Sequence, residues 1–187
     1  GDLPARSGIG SSSAFAVGLL HALSGLLGVM AAPERLAEDA IRLERLLGEN
    51  IGVQDQILCA LGGFRLLTIE RDGTWRADPV ILGAETRRGL EDRLMLFYTG
   101  PRAAAPDLPT GQNPRALARI QEMPAEALAL LDAADFQGFG ALLEESWWRK
   151  KELGPGISTP EIDDLYQAAR RAGASGGKIT GSGGGGF

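Results

Sequence analysis

The chain has 187 residues, 44% of them hydrophobic and 23% charged, with a mean hydropathy of -0.04, a balance that excludes a disordered or fibrous protein. A net charge of -5, from 19 Lys+Arg against 24 Asp+Glu, leaves no basic field for a nucleic-acid backbone. One cysteine, Cys59, and one histidine, His21, cannot build an internal disulfide, a Cys/His zinc site or a Ser-His-Asp triad with a histidine to spare, and both are read as packing residues.

The chain opens Gly1-Asp2-Leu3 and stops at Phe187 directly after four glycines, which predicts a segment of a longer protein. A helix is predicted over Ser12–Leu27; the apolar stretch Ala14–Met30 is broken by Gly18, His21, Ser24, Gly25 and Gly28. It falls short of the roughly 18 uninterrupted apolar residues of a membrane span, and no basic segment precedes it as in a signal peptide. The expectation is a soluble, cytoplasmic protein with no membrane partner. Pro33 opens a second helix, on which Leu36, Ala40, Leu43 and Leu47 form an apolar stripe, and Gly48 ends it. Asp55–Leu61 reads as a short helix closed by Gly62-Gly63, and Phe64–Ile69 as a strand. The hairpin signal Asp72-Gly73 should return Trp75 beside it.

A domain joint is expected near Gly83–Leu90, dividing the chain into 1–88 and 89–187. Arg93–Tyr98 reads as a strand and Gly100–Gln112 as a loop. From Pro114 to about Leu153 the pattern is helical, with breaks at Met123-Pro124 and around Asp135–Gly140. Ser158 and Glu161 have the spacing of a capping box, opening a helix that runs to Gly173. Seven of the last twelve residues are glycine. Strands and helices mix without βαβ alternation, so the fold class is α+β rather than a doubly wound sheet.

Three constellations carry chemistry. Gly8-Ile9-Gly10-Ser11-Ser12-Ser13 precedes a helix; it is either a phosphate cradle made of free amides or a linker followed by a serine N-cap. It is not a Walker A loop, because no lysine follows. On the second helix, Ala37, Ile41 and Glu44 fall at i, i+4 and i+7, which puts this carboxylate on the flank of the apolar stripe. It suits either a Mg²⁺ ligand or a salt-bridged Glu. Asp55 opens the short helix, where a carboxylate also interacts with the helix dipole.

Gly8–Ala14, Gly52-Val53-Gln54-Asp55-Gln56 with Gly62-Gly63-Phe64, and Gly176–Phe187, in this order, resemble the motifs of the GHMP kinases. Within that superfamily the resemblance is greatest to the D-glycero-D-manno-heptose 7-phosphate kinases and their sugar-kinase relatives, through Gln54–Ile57, Glu145–Lys151 and Gly156–Asp163. The resemblance implies a two-domain fold, a ribosomal protein S5 domain 2-like ATP-binding part over 1–88 and a ferredoxin-like part over 89–187, truncated at both ends. It implies an enzyme that transfers the γ-phosphoryl group of ATP to a sugar or sugar-phosphate hydroxyl, with the anomeric hydroxyl of a heptose 7-phosphate named first. The alternatives are a fucokinase-like or galactokinase-like acceptor, or a non-catalytic ligand-binding protein on the same fold.

Residue by residue, the resemblance has Gly8, Ile9, Gly10, Ser11, Ser12 and Ser13 wrapping the triphosphate, and Ser12 and Glu44 holding Mg²⁺. Glu44 lies 11 residues before Asp55, as do the corresponding residues in mevalonate kinases. Asp55 faces the acceptor hydroxyl as general base or orienting charge. Gly181, Gly183 and Gly184 form a turn backing the phosphate loop, and Gln54, Lys150 and Lys178 are candidates for substrate contact. Lys178 also reads as structural, and Trp147, Trp148, Lys150 and Lys151 also read as an amphipathic helix end with solvated lysines.

Overall fold

The computed structural model describes residues 7–47, 52–101 and 113–187. The chain divides into two compact units, one of Ile9–Ile81 and one of Leu82–Phe187 together with Ser7 and Gly8.

In the first unit, α1 (Ser11–Leu26), α2 (Pro33–Leu46) and α3 (Gln54–Leu61) precede an antiparallel hairpin of β1 (Arg65–Ile69) and β2 (Trp75–Pro79). Pairing runs from Arg65 opposite Pro79 to Ile69 opposite Trp75. The turn is tied by Asp72, whose carboxylate accepts from the Thr74 amide at 2.9 Å and hydroxyl at 2.7 Å. Helix α2 packs on two sides. Leu36 and Ala40 meet Ala16 and Val17 of α1, while Ala37 and Ile41 meet Ile57 of α3, with Leu67, Trp75 and Ala77 of the hairpin against them.

The expected stripe of α2 therefore holds at Leu36, Ala40 and Leu43 but not at Leu47, which is exposed. Two neighbours broaden the buried surface sideways to Ala37 and Ile41, and the helix stops at Leu46. Gly48, expected to end it, lies outside the described residues. On α1 the buried stripe is Ser13, Ala16 and Val17, whereas Phe15, Leu19, Leu23 and Leu26 form an exposed apolar face. His21 falls at the edge of the buried stripe and is exposed, so the packing role expected of it does not hold.

The second unit begins with α4 (Ala84–Glu91), which occupies the segment expected to be a domain joint. Arg93–Tyr98, expected as a strand, forms none: a strand needs a paired backbone, and among the described residues pairing begins only where Thr99 donates to Gly186 at 2.7 Å and Gly186 donates to Gly100 at 3.0 Å. Helix α5 (Pro114–Asp132) runs through the expected break at Pro124. Ala116, Met123 and Leu131 keep one face buried while Pro124 is exposed, so the carbonyl that proline leaves unbonded can be met by water. The second break is narrower than expected: Ala134, at φ 53°, turns the chain directly into α6 (Phe136–Lys151).

Arg119 clamps α5 to α6 through both oxygens of Glu145, at 2.8 and 2.9 Å. Helix α7 (Pro160–Arg171) is capped by Thr159, which accepts from the Ile162 amide at 3.3 Å, in place of the expected Ser158–Glu161 box. The Ser158 hydroxyl is instead spent on Asp163 at 2.9 Å. Trp147, Ile157, Ile162 and Ile179 form the core that joins α6, α7 and the glycine-rich end.

Candidate functional site

In the first unit the polar chemistry gathers at the start of α1. Gly10 adopts the left-handed conformation (φ 73°, ψ 21°), and no side chain caps the helix, so its first amides are open to an anion. Gly10 also faces α3: a methyl group there would lie 3.4 Å from Cβ and Cγ of Asp55, on the first turn of α3. Cys59, one turn further along α3, brings its thiol 3.8 Å from the Gly10 carbonyl. Burial, and after it the carboxylates of Asp55 and Glu44, push this thiol up from its ordinary value, so it stays protonated and is a poor nucleophile. It is solvent-accessible rather than the packing residue expected.

Glu44, in the last turn of α2, is half-buried. Ser13 Oγ donates to its Oε1 at 3.1 Å and lies 3.4 Å from Oε2, and Gln56 Nε2 donates to Oε2. Ser13 and Gln56 are buried, and the Gln56 amide oxygen has no partner. Ser12, the expected metal ligand of the loop, is exposed, Ser11 is half-buried, and Ile9 enters the unit just ahead of Gly10. Gln54 is exposed at the first position of α3.

The second unit contributes a different kind of construction. Ser7 and Gly8 pack against the glycine-rich end: the Phe187 amide donates to the Ser7 carbonyl at 3.1 Å. A methyl group on Gly186 would lie 2.2 Å from the Ser7 carbonyl oxygen, and one on Gly181 would lie 3.1 Å from Gly8. Gly183 and Gly184 meet Ile157 instead: a side chain at 183 would lie 2.6 Å from its carbonyl oxygen, and the Gly184 amide donates to it at 3.0 Å.

Lys150 reaches this segment, donating to the carbonyls of Ile179 at 3.3 Å and of Gly181. Lys151 pairs with Asp163 at 3.0 Å and lies 3.8 Å from the centre of the Trp148 ring. The lysines of this helix end are therefore engaged rather than solvated, and Trp147 is fully buried. Lys178 keeps contact with solvent although crowding by protein lowers its pKa through desolvation.

Two participants were not apparent as such in the sequence. Gln56 was visible only as the neighbour of Asp55, and nothing in its spacing from Glu44 on another helix announces a hydrogen bond. Gly186 was one glycine among many; only its approach to Ser7 singles it out.

The GHMP kinases N terminal domain matches residues 1–63 and GHMP kinases C terminal matches 127–187. The chain belongs to the GHMP kinases. A D-glycero-alpha-D-manno-heptose 7-phosphate kinase of Campylobacter jejuni is 29% identical over 195 residues, covering 100% of this chain and 58% of that protein. A mevalonate kinase of Thermococcus sibiricus is 32% identical over 200 residues, covering 98% and 56%. The crystal structure of a D-glycero-D-manno-heptose 1-phosphate kinase from Bacteriodes thetaiotaomicron superposes with a TM-score of 0.76 at 27% identity, covering 98% of this chain and 53% of that one. The chain thus spans little more than half the length of these two curated relatives.

The start of α1 and the last turn of α2 bring backbone N–H groups and side-chain oxygens into the first unit. The uncapped α1 terminus suits phosphate oxygens, and Glu44 and Ser12 offer only oxygen, the ligand a hard cation takes. Among the described residues no group of three or more His, Cys, Asp or Glu could hold a metal by itself; Mg²⁺ usually binds through one or two carboxylates together with substrate phosphates. Among the described residues no helix is long and apolar enough to cross a membrane.

Proposed function

We propose that this chain forms part of an ATP-dependent small-molecule kinase whose acceptor is a sugar or sugar-phosphate hydroxyl, with the anomeric hydroxyl of D-glycero-D-manno-heptose 7-phosphate named first. The observation that carries the proposal is the placement of the Asp55 carboxylate against Gly10, beside an uncapped helix start. An anion-binding terminus and a carboxylate able to face a hydroxyl are two of the parts that phosphoryl transfer asks of a protein.

In this reading the loop from Gly8 to Ser13 holds the triphosphate, its amides directed at phosphate oxygens. Glu44 and the Ser12 hydroxyl hold Mg²⁺, which neutralises phosphate charge when bound. Asp55 faces the acceptor hydroxyl as orienting charge or as general base, while the new oxygen–phosphorus bond forms and the bond to ADP breaks. Gln54 is exposed at the start of α3 in the first unit; in the second unit Lys178 is exposed and Lys150 acts through the carbonyls of the glycine-rich end. Gly181 supports Gly8 at the start of the phosphate loop, with Gly183 and Gly184 fixing the same turn to Ile157.

The mevalonate kinase likeness favours a second reading, in which the acceptor is a hydroxyl outside the sugars. The deciding experiment follows ADP release from the full-length protein over a panel of heptose 7-phosphate, heptose 1-phosphate, fucose, galactose and mevalonate. Turnover with a sugar or sugar phosphate is expected. Turnover with mevalonate alone favours the second reading, and nucleotide binding without turnover on any acceptor overturns both in favour of a ligand-binding protein.

A further inference from the structure

Glu44 is held by neutral groups at the end of a helix. It sits in the last turn of α2, where the helix presents the negative end of its dipole, and it is half-buried. Among the described residues it has no basic partner: its carboxylate is met by the Ser13 hydroxyl and the Gln56 amide, both neutral. Two neutral donors fix a carboxylate in direction without cancelling its charge, leaving a position that gains from a cation.

Gln56 is kept there at a cost. Its side chain is 1% exposed and its amide oxygen lacks any partner, and a buried polar atom without a partner is destabilising. Turning the amide over would bring that oxygen against the Glu44 carboxylate, so the hydrogen bond to Glu44 dictates the orientation. Ile57, fully buried beside Ala37 and Ile41, anchors the same turn of α3. One helical turn thereby presents Asp55 to Gly10 and Gln56 to Glu44.

We infer that Gln56, with Ser13, is a positioning residue that holds the Glu44 carboxylate for a divalent cation bound with the nucleotide. The inference rests on the reading of Glu44 as a metal ligand given under the proposed function. Outer partners of a metal ligand commonly contribute about 10–100-fold to metal affinity.

The test measures Mn²⁺ binding to the full-length protein in the presence of a non-hydrolysable ATP analogue, by the relaxation of water protons, with metal-free nucleotide binding and a thermal melt alongside. Gln56→Met keeps the length of the side chain and removes the donor. Expected is a loss of about 10–100-fold in Mn²⁺ affinity, with metal-free nucleotide binding unchanged and a cooperative melt retained. Leu58→Ala, at a more exposed position of α3, is expected to change neither binding constant. If Glu44→Gln weakens Mn²⁺ and Gln56→Met does not, the positioning role is overturned while the metal reading of Glu44 stands. If Glu44→Gln leaves Mn²⁺ unaffected, that reading fails and the inference with it. Should Gln56→Met not fold, Ser13→Ala decides: it removes the other donor, and an unchanged Mn²⁺ affinity overturns the proposal.

Discussion

The start of α1 and the glycine-rich end are both built from small residues, yet they use smallness differently. At Ser11–Ser13 the backbone amides are left open and Ser13 spends its hydroxyl on Glu44. Between Gly176 and Gly186 the useful property is the missing side chain, because carbonyls of Gly140, Ile157 and Ser7 stand where a methyl group would be. The first region is sensitive to the loss of a charge or a donor and the second to the gain of a carbon. Substitutions that respect this division should change activity in one place and stability in the other.

The largest effect is expected from Asp55→Asn in the full-length protein. The change is nearly isosteric and Asp55 is only half-buried, so the melting temperature should hardly move. A group that receives or orients a reacting proton contributes about 10²–10⁴-fold to the rate, and kcat should fall by that much while nucleotide binding is retained. An unchanged kcat would remove the chemistry from this corner of the first unit and dissolve the contrast.

Next in size is a pair of neighbours in the second unit. A methyl group on Gly176 would lie 1.9 Å from the Gly140 carbonyl oxygen, backbone against backbone, whereas on Gly177 the nearest atom, in Tyr166, is 3.9 Å away. Gly176→Ala should cost about 1–3 kcal/mol or more, as overpacking does. Gly177, whose φ is not positive, should tolerate alanine or gain about 0.4–1 kcal/mol by restricting the unfolded chain. Urea melts of the two variants read the difference; equal losses would mean that the Gly140 carbonyl is not what position 176 needs glycine for.

The same division explains what the sequence could reveal. Helices α1, α2, α3 and α7 and the hairpin were legible because each is written locally, in apolar spacing, a proline at the first turn or an Asp-Gly turn. Arg93–Tyr98 has the composition of a strand, but pairing depends on another stretch of backbone, which composition does not contain. Pro124 stays within α5 on its exposed face, and which face α6 covers is not contained in a local rule. Glu44 and Asp55 could be found by spacing and by resemblance, whereas the Gln56 hydrogen bond depends on the crossing of α2 and α3. The contacts of Lys150 and Lys151 are not legible locally, because their partners, Ile179, Gly181 and Asp163, lie 12 to 31 residues away.

The smallest effect sharpens the contrast from the side of the second unit, where polar groups support packing. Tyr166 stacks edge-on against Trp148 at 6.3 Å, and its hydroxyl donates to Glu144 at 2.9 Å, a carboxylate that also meets Arg170 at 3.2 Å. Burial first, and then the hydrogen bond to Glu144, push the phenol up to about 12 from an ordinary value of 10.0. A group whose pKa is raised on folding contributes stability that is complete below its unfolded value and disappears as the pH rises through its folded one. Tyr166→Phe should therefore cost about 0.5–1.5 kcal/mol at pH 8, the net worth of one hydrogen bond. Between pH 10 and 12 the wild-type advantage should shrink, because the unfolded tyrosine ionises first and phenylalanine has nothing to ionise. Since every other titrating group is common to both proteins, the difference between their urea melts isolates this one hydroxyl. A difference that stays constant across that window would mean that the Tyr166 hydroxyl is neither desolvated nor held by Glu144 in the folded protein.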